Sequence, residues 1–419
     1  MSGIIFVMGI SHFPLVYLFT VNVFRKIPRE MESAAQISGA SRWRSFTRIV
    51  LPMALPGIVG GSFIAFLGSL DNFGIPAFLG TPADISVLST YIYQQIIGFG
   101  TSAFNHAAVL SVILGVIAII GVGLQWLILR KSKRMETTKL DYTPRYFLGK
   151  KRKYVEIGIW LFFAVTSILP LLSMVMTSFL KAYGLDFSFE NLSLENYQYI
   201  LTSQSTVASI LTSIKLAGVT TIVGIIAGTI FAYIRVRKAD AASKIAESAI
   251  TIPYALPGTV LALAMIFAWM EPIPGWNPGI YGSAMILYIA YVTRFLILQV
   301  RSSMTAFQQL NVSVEEAARV SGSNGFGKWK TIIIPLITPG ILGGGLLVFL
   351  TALTELTVSA LLYSSTSETI GVSILSFQQS GYTLNATAFS SVIVVMIMCG
   401  YGLLYLVQNV WNRKVAKKK

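Results

Sequence analysis

Nine stretches of this 419-residue chain are apolar for long enough to cross a membrane, and no other feature restricts its folding so severely. They lie near residues 3–24, 55–79, 106–129, 155–179, 208–234, 249–270, 279–300, 338–362 and 388–411. A hydrocarbon layer about 30 Å thick is crossed by about 20 apolar residues in a helix. Helix is required because a backbone facing lipid must satisfy its own hydrogen bonds. The chain is 54% hydrophobic and only 12% charged, against roughly 25% charge in soluble domains. Mean hydropathy is +0.70. These features predict an all-α polytopic membrane protein with about nine transmembrane helices.

The net charge of +15 could suit nucleic acid, but its placement argues for a membrane. Lys and Arg gather in 25–48, 130–153, 235–244, 301–330 and 413–419. The alternate connections (71–105, 180–207, 271–278, 363–387) carry almost none beyond Lys181. This asymmetry predicts that the basic loops and the C-terminus are cytoplasmic. The first segment lacks a basic n-region, so it reads as a retained span and not as a cleaved signal. Cys399 has no partner cysteine. His12 and His106 stand alone, without carboxylate or cysteine at ligand spacing, so no metal site and no catalytic group is expected.

One element occurs twice. Residues 32–58 read ESAAQISGASRWRSFTRIVLPMALPGI, and residues 315–341 read EEAARVSGSNGFGKWKTIIIPLITPGI. The copies align without a gap at one constant offset, the step from Gly39 to Gly322. The same step pairs Ala34 with Ala317, Ala35 with Ala318, Ser38 with Ser321, Ile49 with Ile332 and Pro52 with Pro335. It also pairs Pro56-Gly57-Ile58 with Pro339-Gly340-Ile341. A repeat so widely spaced marks two related domains and not a solenoid. Each copy reads as a short helix, a glycine break and a second amphipathic helix ending at proline. Gly39 and Gly322 permit a sharp left-handed turn. Pro52 and Pro335 cannot continue the hydrogen-bond ladder and mark where the next span begins.

The pattern resembles the cytoplasmic "EAA" loop of binding-protein-dependent ABC importer permeases: Glu-Ala-Ala, three residues, Gly, nine residues, Ile, one residue, Leu-Pro. The second copy supplies Glu316-Ala317-Ala318, Gly322, Ile332 and Ile334-Pro335. The first supplies Ser33-Ala34-Ala35, Gly39, Ile49 and Leu51-Pro52, with its acid displaced to Glu32. The resemblance implies a duplicated type I ABC importer permease fold. In that family the loop helix docks in a groove of a separate, dimeric ATPase subunit. ATP and Mg²⁺ would then be held by the ATPase, with no cofactor on this chain and no enzyme activity of its own. The implied coupling residues are Glu32, Ala34, Ala35, Gly39, Pro52, Glu315, Glu316, Ala317, Ala318, Gly322 and Pro335. A periplasmic or lipid-anchored substrate-binding protein is the other implied partner, and the bacterial cytoplasmic membrane the implied location.

Two other motif matches are rejected. Gly322 to Lys328 formally fits G-x-x-x-x-G-K, but Trp329 stands where Ser or Thr should ligate Mg²⁺, and no strand precedes it. AAQISGASRWRSF has the look of a helix-turn-helix, but it lies too close to the spans for a duplex to dock.

Organisation follows from the offset. Residues 1–130 read as the C-terminal part of a first permease domain, 131–153 as a basic cytoplasmic linker, and 154–419 as a complete second domain. The first copy has one span before its repeat and the second has four. A counterpart of residues 153–283 is therefore expected to be missing at the N-terminus of a chain of about twelve spans. The alternative is a natural nine-span protein.

Polar groups at membrane depth are expensive and are default candidates for a pathway. Asp71-Asn72 and Thr354-Glu355 follow the repeats at matched places, and the offset pairs Asn72 with Glu355. Their alternative reading is helix-packing or capping polarity. Arg294 is expected to snorkel toward the cytoplasm or to pair with a carboxylate. Pro253 and Pro257 are expected to break a span. The stretches DNFGIPAFLGTPADISVLSTYIYQQ and LTELTVSALLYSSTSETIGVSIL resemble the fused two-domain ferric-iron permeases, which implies Fe(III) as cargo. Thiamine, phosphonate, polyamine, sulfate and molybdate permeases share the scaffold and stay open. A non-transporting membrane scaffold and a secondary transporter remain as readings of other classes.

Overall fold

A computed structural model describes residues 1–98, 103–130, 147–238, 240–270, 279–320, 322–323 and 325–416. Most of the linker 131–153, all of 271–278, and Ser321 lie outside the described residues. Among those described, every regular element is helical apart from a single isolated bridge between Leu180 and Leu192. The chain divides into two compact units, Met1–Leu171 and Leu172–Lys419.

The first unit contains α1 (Ser2–Phe24), α2 (Arg29–Ile37), α3 (Arg42–Asp71), α4 (Gly74–Gly80), α5 (Leu88–Ile97) and α6 (Ala103–Arg130). The unit boundary falls within α7 (Gly149–Ser178). The second unit contains α8 (Glu195–Thr202), α9 (Gln204–Lys238), α10 (Ala241–Ala255), α11 (Gly258–Met270) and α12 (Ala284–Gln309). It continues with α13 (Val312–Val320), α14 (Gly325–Leu353), α15 (Ser359–Leu362), α16 (Ile370–Gln379) and α17 (Thr383–Ala416). Eight described helices are long and apolar enough to span a membrane, nine if the bent pair α10–α11 counts as one span. This agrees with the nine apolar runs.

The spans differ from expectation at their ends. The run expected at 55–79 is a helix that starts at Arg42 and stops at Asp71, because Asn72 adopts an extended ψ of 110°. The sequence reading ends the second loop helix at Pro52 and Pro335, whereas the helix runs on through both. A five-residue π-helical turn precedes each proline, Phe46–Val50 in α3 and Trp329–Ile333 in α14. Such a widened turn accommodates the missing proline N–H without a break.

The two copies bury equivalent cores. In the first, Ile27, Val50 and Ala54 pack with Phe24, Phe46 and Ile58. In the second, Leu310, Ile333 and Ile337 pack with Phe307, Trp329 and Ile341. Every pair in that comparison is related by the offset of the sequence repeat. The aromatic contact persists too, Phe24 on Phe46 at 6.5 Å and Phe307 on Trp329 at 6.2 Å.

Glycines set how closely the spans approach. A Cβ on Gly57 would lie 2.6 Å from Val23, and one on Gly61 would lie 2.9 Å from the Val16 backbone, so α3 sits directly against α1. In α14 the same role falls to Gly340 against Ala306 (2.7 Å) and Gly344 against Ser302 (2.6 Å) on α12. Each pair is a small-xxx-small motif, which brings helix backbones close where lipid offers no hydrophobic driving force. Outward-facing apolar side chains such as Val109, Val112 and Ile119 on α6 are exposed, as a lipid-facing surface requires.

Candidate functional site

The repeated loop is built alike in both units. α2 and α13 are nine residues each and begin and end at positions equivalent by the offset. Each is followed by a left-handed glycine, Gly39 at φ +86° and Gly322 at φ +76°. In the first copy Ala40 N donates to Ala35 O (2.9 Å) and Gly39 N to Gln36 O (3.0 Å). This pair of bonds is the Schellman arrangement that closes a helix on glycine. In the second copy the matching bond runs from Ser323 N to Ala318 O at 3.0 Å. The turn then delivers the chain into the span. Ser41 Oγ accepts from Arg44 N at 3.3 Å to start α3.

One alanine of each loop's pair is open. Ala34, Gly39 and Pro52 in the first copy, and Glu316, Ala317 and Gly322 in the second, are exposed; Ala35 and Pro335 are half-buried, and Ala318 is buried. The acids divide. Glu32 and Glu315, equivalent by the offset, are both turned inward, at 8% and 5% exposure. Glu316 is left as the surface carboxylate of the second loop.

Glu315 is the centre of a buried ion cluster. Arg237 Nε donates to its Oε1 at 2.7 Å, and Lys328 Nζ to its Oε2 at 2.9 Å. Tyr233 Oη donates to Oε2 at 3.2 Å, and Arg237 Nη2 also reaches Leu310 O at 3.2 Å. The cluster ties α13 to the end of α9 and to the start of α14. Burial pushes the Glu315 carboxyl up, but Lys328 and Arg237 more than offset this and hold it below its ordinary value. Lys328 is thus a structural cation with a helix before it. This geometry, like the missing Ser or Thr, is unlike a phosphate-binding loop. At its equivalent position the first copy has Ser45, whose Oγ is buried without a hydrogen-bond partner among the described residues. Sequence reasoning overlooks this cluster because its members, 237, 315 and 328, meet only in space. It also overlooks the paired glycines at 57/61 and 340/344, whose shared i, i+4 spacing was the available signal.

The matched polar positions cap helices. Asn72 Oδ1 accepts from Ile75 N at 2.9 Å at the start of α4. Glu355 Oε1 accepts from Val358 N at 2.8 Å, and its Oε2 from Ser359 N at 3.0 Å, at the start of α15. Asp71 is half-buried and Thr354 exposed, its hydroxyl donating to Leu350 O. Beside Glu355 lies buried Tyr291, within electrostatic reach of both Glu355 and Arg294. Arg294 does not snorkel. It is 4% exposed and donates to Leu256 O at 3.5 Å. That carbonyl lies at the break between α10 and α11, which are bent by 109° around Leu256-Pro257. The break expected at Pro257 is therefore present, whereas Pro253 lies inside α10 without breaking it.

With this geometry in place, comparisons with known proteins place the chain. The sequence profile of the family described as "Binding-protein-dependent transport system inner membrane component" matches residues 1–134 and 221–417. The putative ferric transport system permease protein FbpB 1 of Haemophilus influenzae is 26% identical over 378 residues, covering 88% of this chain and 57% of that protein. The ferric transport system permease protein FbpB of Actinobacillus pleuropneumoniae is 26% identical over 404 residues, covering 95% and 57% respectively. The chain thus spans rather more than half the length of these relatives. Among solved structures, a bacterial alginate ABC transporter in complex with an alginate pentasaccharide-bound periplasmic protein aligns with a TM-score of 0.47 and 15% identity, over 65% of this chain and 99% of that one.

Proposed function

The chain belongs to the family of binding-protein-dependent transport system inner membrane components, and from that membership we propose that it serves as the membrane permease of an ATP-driven importer carrying Fe(III). The observation that carries this reading is the twice-built loop: identical helix lengths, a left-handed glycine in each, and one exposed alanine in each, Ala34 and Ala317. Ala34 with Ala35, and Glu316 with Ala317, would seat in a separate dimeric ATPase, which supplies ATP, Mg²⁺ and hydrolysis. A substrate-binding protein would deliver cargo on the opposite face of the bacterial cytoplasmic membrane, leaving the C-terminus cytoplasmic.

The geometry supports a lever. The Schellman turn and the uninterrupted π-turn make each loop and its span one continuous piece, and Glu315 bolts the second loop to α9. A push on the loop helix would therefore be carried into α3 and α14 as rigid-body motion. The span broken at Pro257, with Arg294, Tyr291 and Glu355 beside it, would be the part of the pathway that responds. Ferric cargo is favoured over oxyanions by the named activities of the relatives and by the carboxylates Asp71 and Glu355.

The test is ⁵⁵Fe uptake into proteoliposomes holding the chain with its ATPase and binding protein. ATP-dependent uptake that an ATPase-inactive variant abolishes is expected. Uptake driven by an ion gradient without ATP, or partner binding with no uptake of any cation, would overturn the proposal.

A further inference from the structure

A second polar site lies away from the loops, among α9, α10 and α12. A cavity of about 440 Å³ opens there, lined by Arg235, Lys244, Glu247 and Arg301 and, farther along α10 than Lys244, by Ile252 and Ala255. Its volume is within the range of small-molecule sites. Glu247 neutralises only one of the three cations, its Oε2 accepting from Arg235 Nε at 2.6 Å. The nearest other acid on α10, Asp240, caps its own helix by accepting from Ser243 N at 2.9 Å. Lys244 and Arg301 have no ion pair among the described residues, which leaves the cavity with a net positive charge. Both are exposed at its rim.

Position limits what can fill it. Arg301 lies eight residues before the end of α12 at Gln309, about 12 Å inward at 1.5 Å per residue. Lys244 and Arg235 are within a turn of the ends of α10 and α9. Lys244 and Arg235 therefore sit at the helix ends, at headgroup depth, with Arg301 about two turns deeper. From there the wall continues along α10 through Thr251 and Ile252, the latter 56% exposed. A ligand with an anionic head and an apolar body matches both ends. The geometry points to a binding site for an anionic phosphoryl group, presented by a phospholipid headgroup with its acyl chain along α10 or by free phosphate. Basic pockets between transmembrane helices bind such headgroups by this electrostatic logic.

The test uses the purified full-length chain in detergent and native mass spectrometry with phosphatidylglycerol or phosphatidylcholine at equal concentration. The wild type is expected to retain at least one more phosphatidylglycerol than the K244Q/R301Q variant, with affinity weakened roughly tenfold or more on loss of two cations. The control K150Q/K151Q removes the same charge elsewhere and should retain the lipid. Inorganic phosphate is tested in parallel by thermal unfolding at matched ionic strength. A shift in the wild type that K244Q/R301Q loses would assign the site to free phosphate; no shift would assign it to lipid. Equal phosphatidylglycerol loss in both variants, or no preference over phosphatidylcholine in the wild type, would overturn the site.

Discussion

Lys328 and Glu315 form a buried ion pair at 2.9 Å, while the equivalent positions of the first copy hold Ser45 and Glu32. The two loops are therefore alike in backbone but unlike in how they are anchored. A lysine that spans the second turn and closes on α13 is replaced in the first by a hydroxyl too short to reach.

Removing one partner of a buried pair costs about 3–5 kcal/mol when the other charge is left alone, and less here because Arg237 still pairs with Glu315. Lys328→Met should therefore loosen α13, seen as faster modification of a cysteine placed at Ala318. Lys328→Arg should restore most of the protection. Protection at Ala318 unchanged by Lys328→Met would remove the anchoring role.

The same cluster sets a pH response. The folded Glu315 carboxyl lies below its ordinary value of 4.5, so its contribution is fully present above that value and is lost as pH falls through the lower folded one. Loop protection, followed by hydrogen exchange of α13, should decline below about pH 4.5. Glu315→Gln should start from weaker protection and show little further decline. An unaltered acid profile in that variant would place the titrating group elsewhere.

Gly39 and Gly322 are open on all sides, with nothing within 4 Å of an added Cβ, so substitutions there act through backbone conformation alone. A left-handed residue with a Cβ costs roughly 1–2 kcal/mol, and Asn is the tolerated exception. Gly322→Val should uncouple ATP hydrolysis from uptake, whereas Gly322→Asn should keep most of the coupling. Equal behaviour of the two variants, measured as substrate moved per ATP, would show that the turn is not what matters.

Helix contact is tested with neighbouring glycines. Gly61→Ala forces a Cβ to 2.9 Å from the Val16 backbone and should destabilise the unit by about 1–3 kcal/mol. Gly60→Ala meets nothing within 4 Å and should be neutral, or stabilising by up to about 1 kcal/mol through helix propensity. The unfolding temperature in detergent distinguishes them. The same contrast is expected for Gly344 and Gly343.

Caps are separable from pathway chemistry at Asn72 and Glu355. Asn72→Asp keeps the acceptor for the next helix and Glu355→Gln keeps one of its two, whereas Asn72→Ala and Glu355→Leu leave N–H groups unmet, at about 1–3 kcal/mol each. Stability should fall more in the second pair than in the first. If Glu355→Gln is stable yet loses iron uptake, the carboxylate's charge acts on cargo; stable with full uptake, its role is capping alone.

The one-dimensional pattern alone determined the helical membrane class, the duplication and the left-handed glycines. Apolar run length is dictated by bilayer thickness, and a repeat is visible wherever equivalent residues keep a constant offset. Gly39 and Gly322 belong with these because a Schellman turn is local, closed by bonds between near neighbours in the chain. The break at Pro257 was also legible, since proline lacks the donor that a helix needs. Side-chain destinations were not. Glu315 and Glu316 are adjacent carboxylates with the same intrinsic chemistry, yet one is buried among Arg237, Lys328 and Tyr233 and the other faces outward. Arg294 is turned inward, donating to the Leu256 carbonyl far earlier in the chain. Tertiary structure decided these positions, because the energy of a buried charge depends on which distant donors and acceptors the packed helices bring to it.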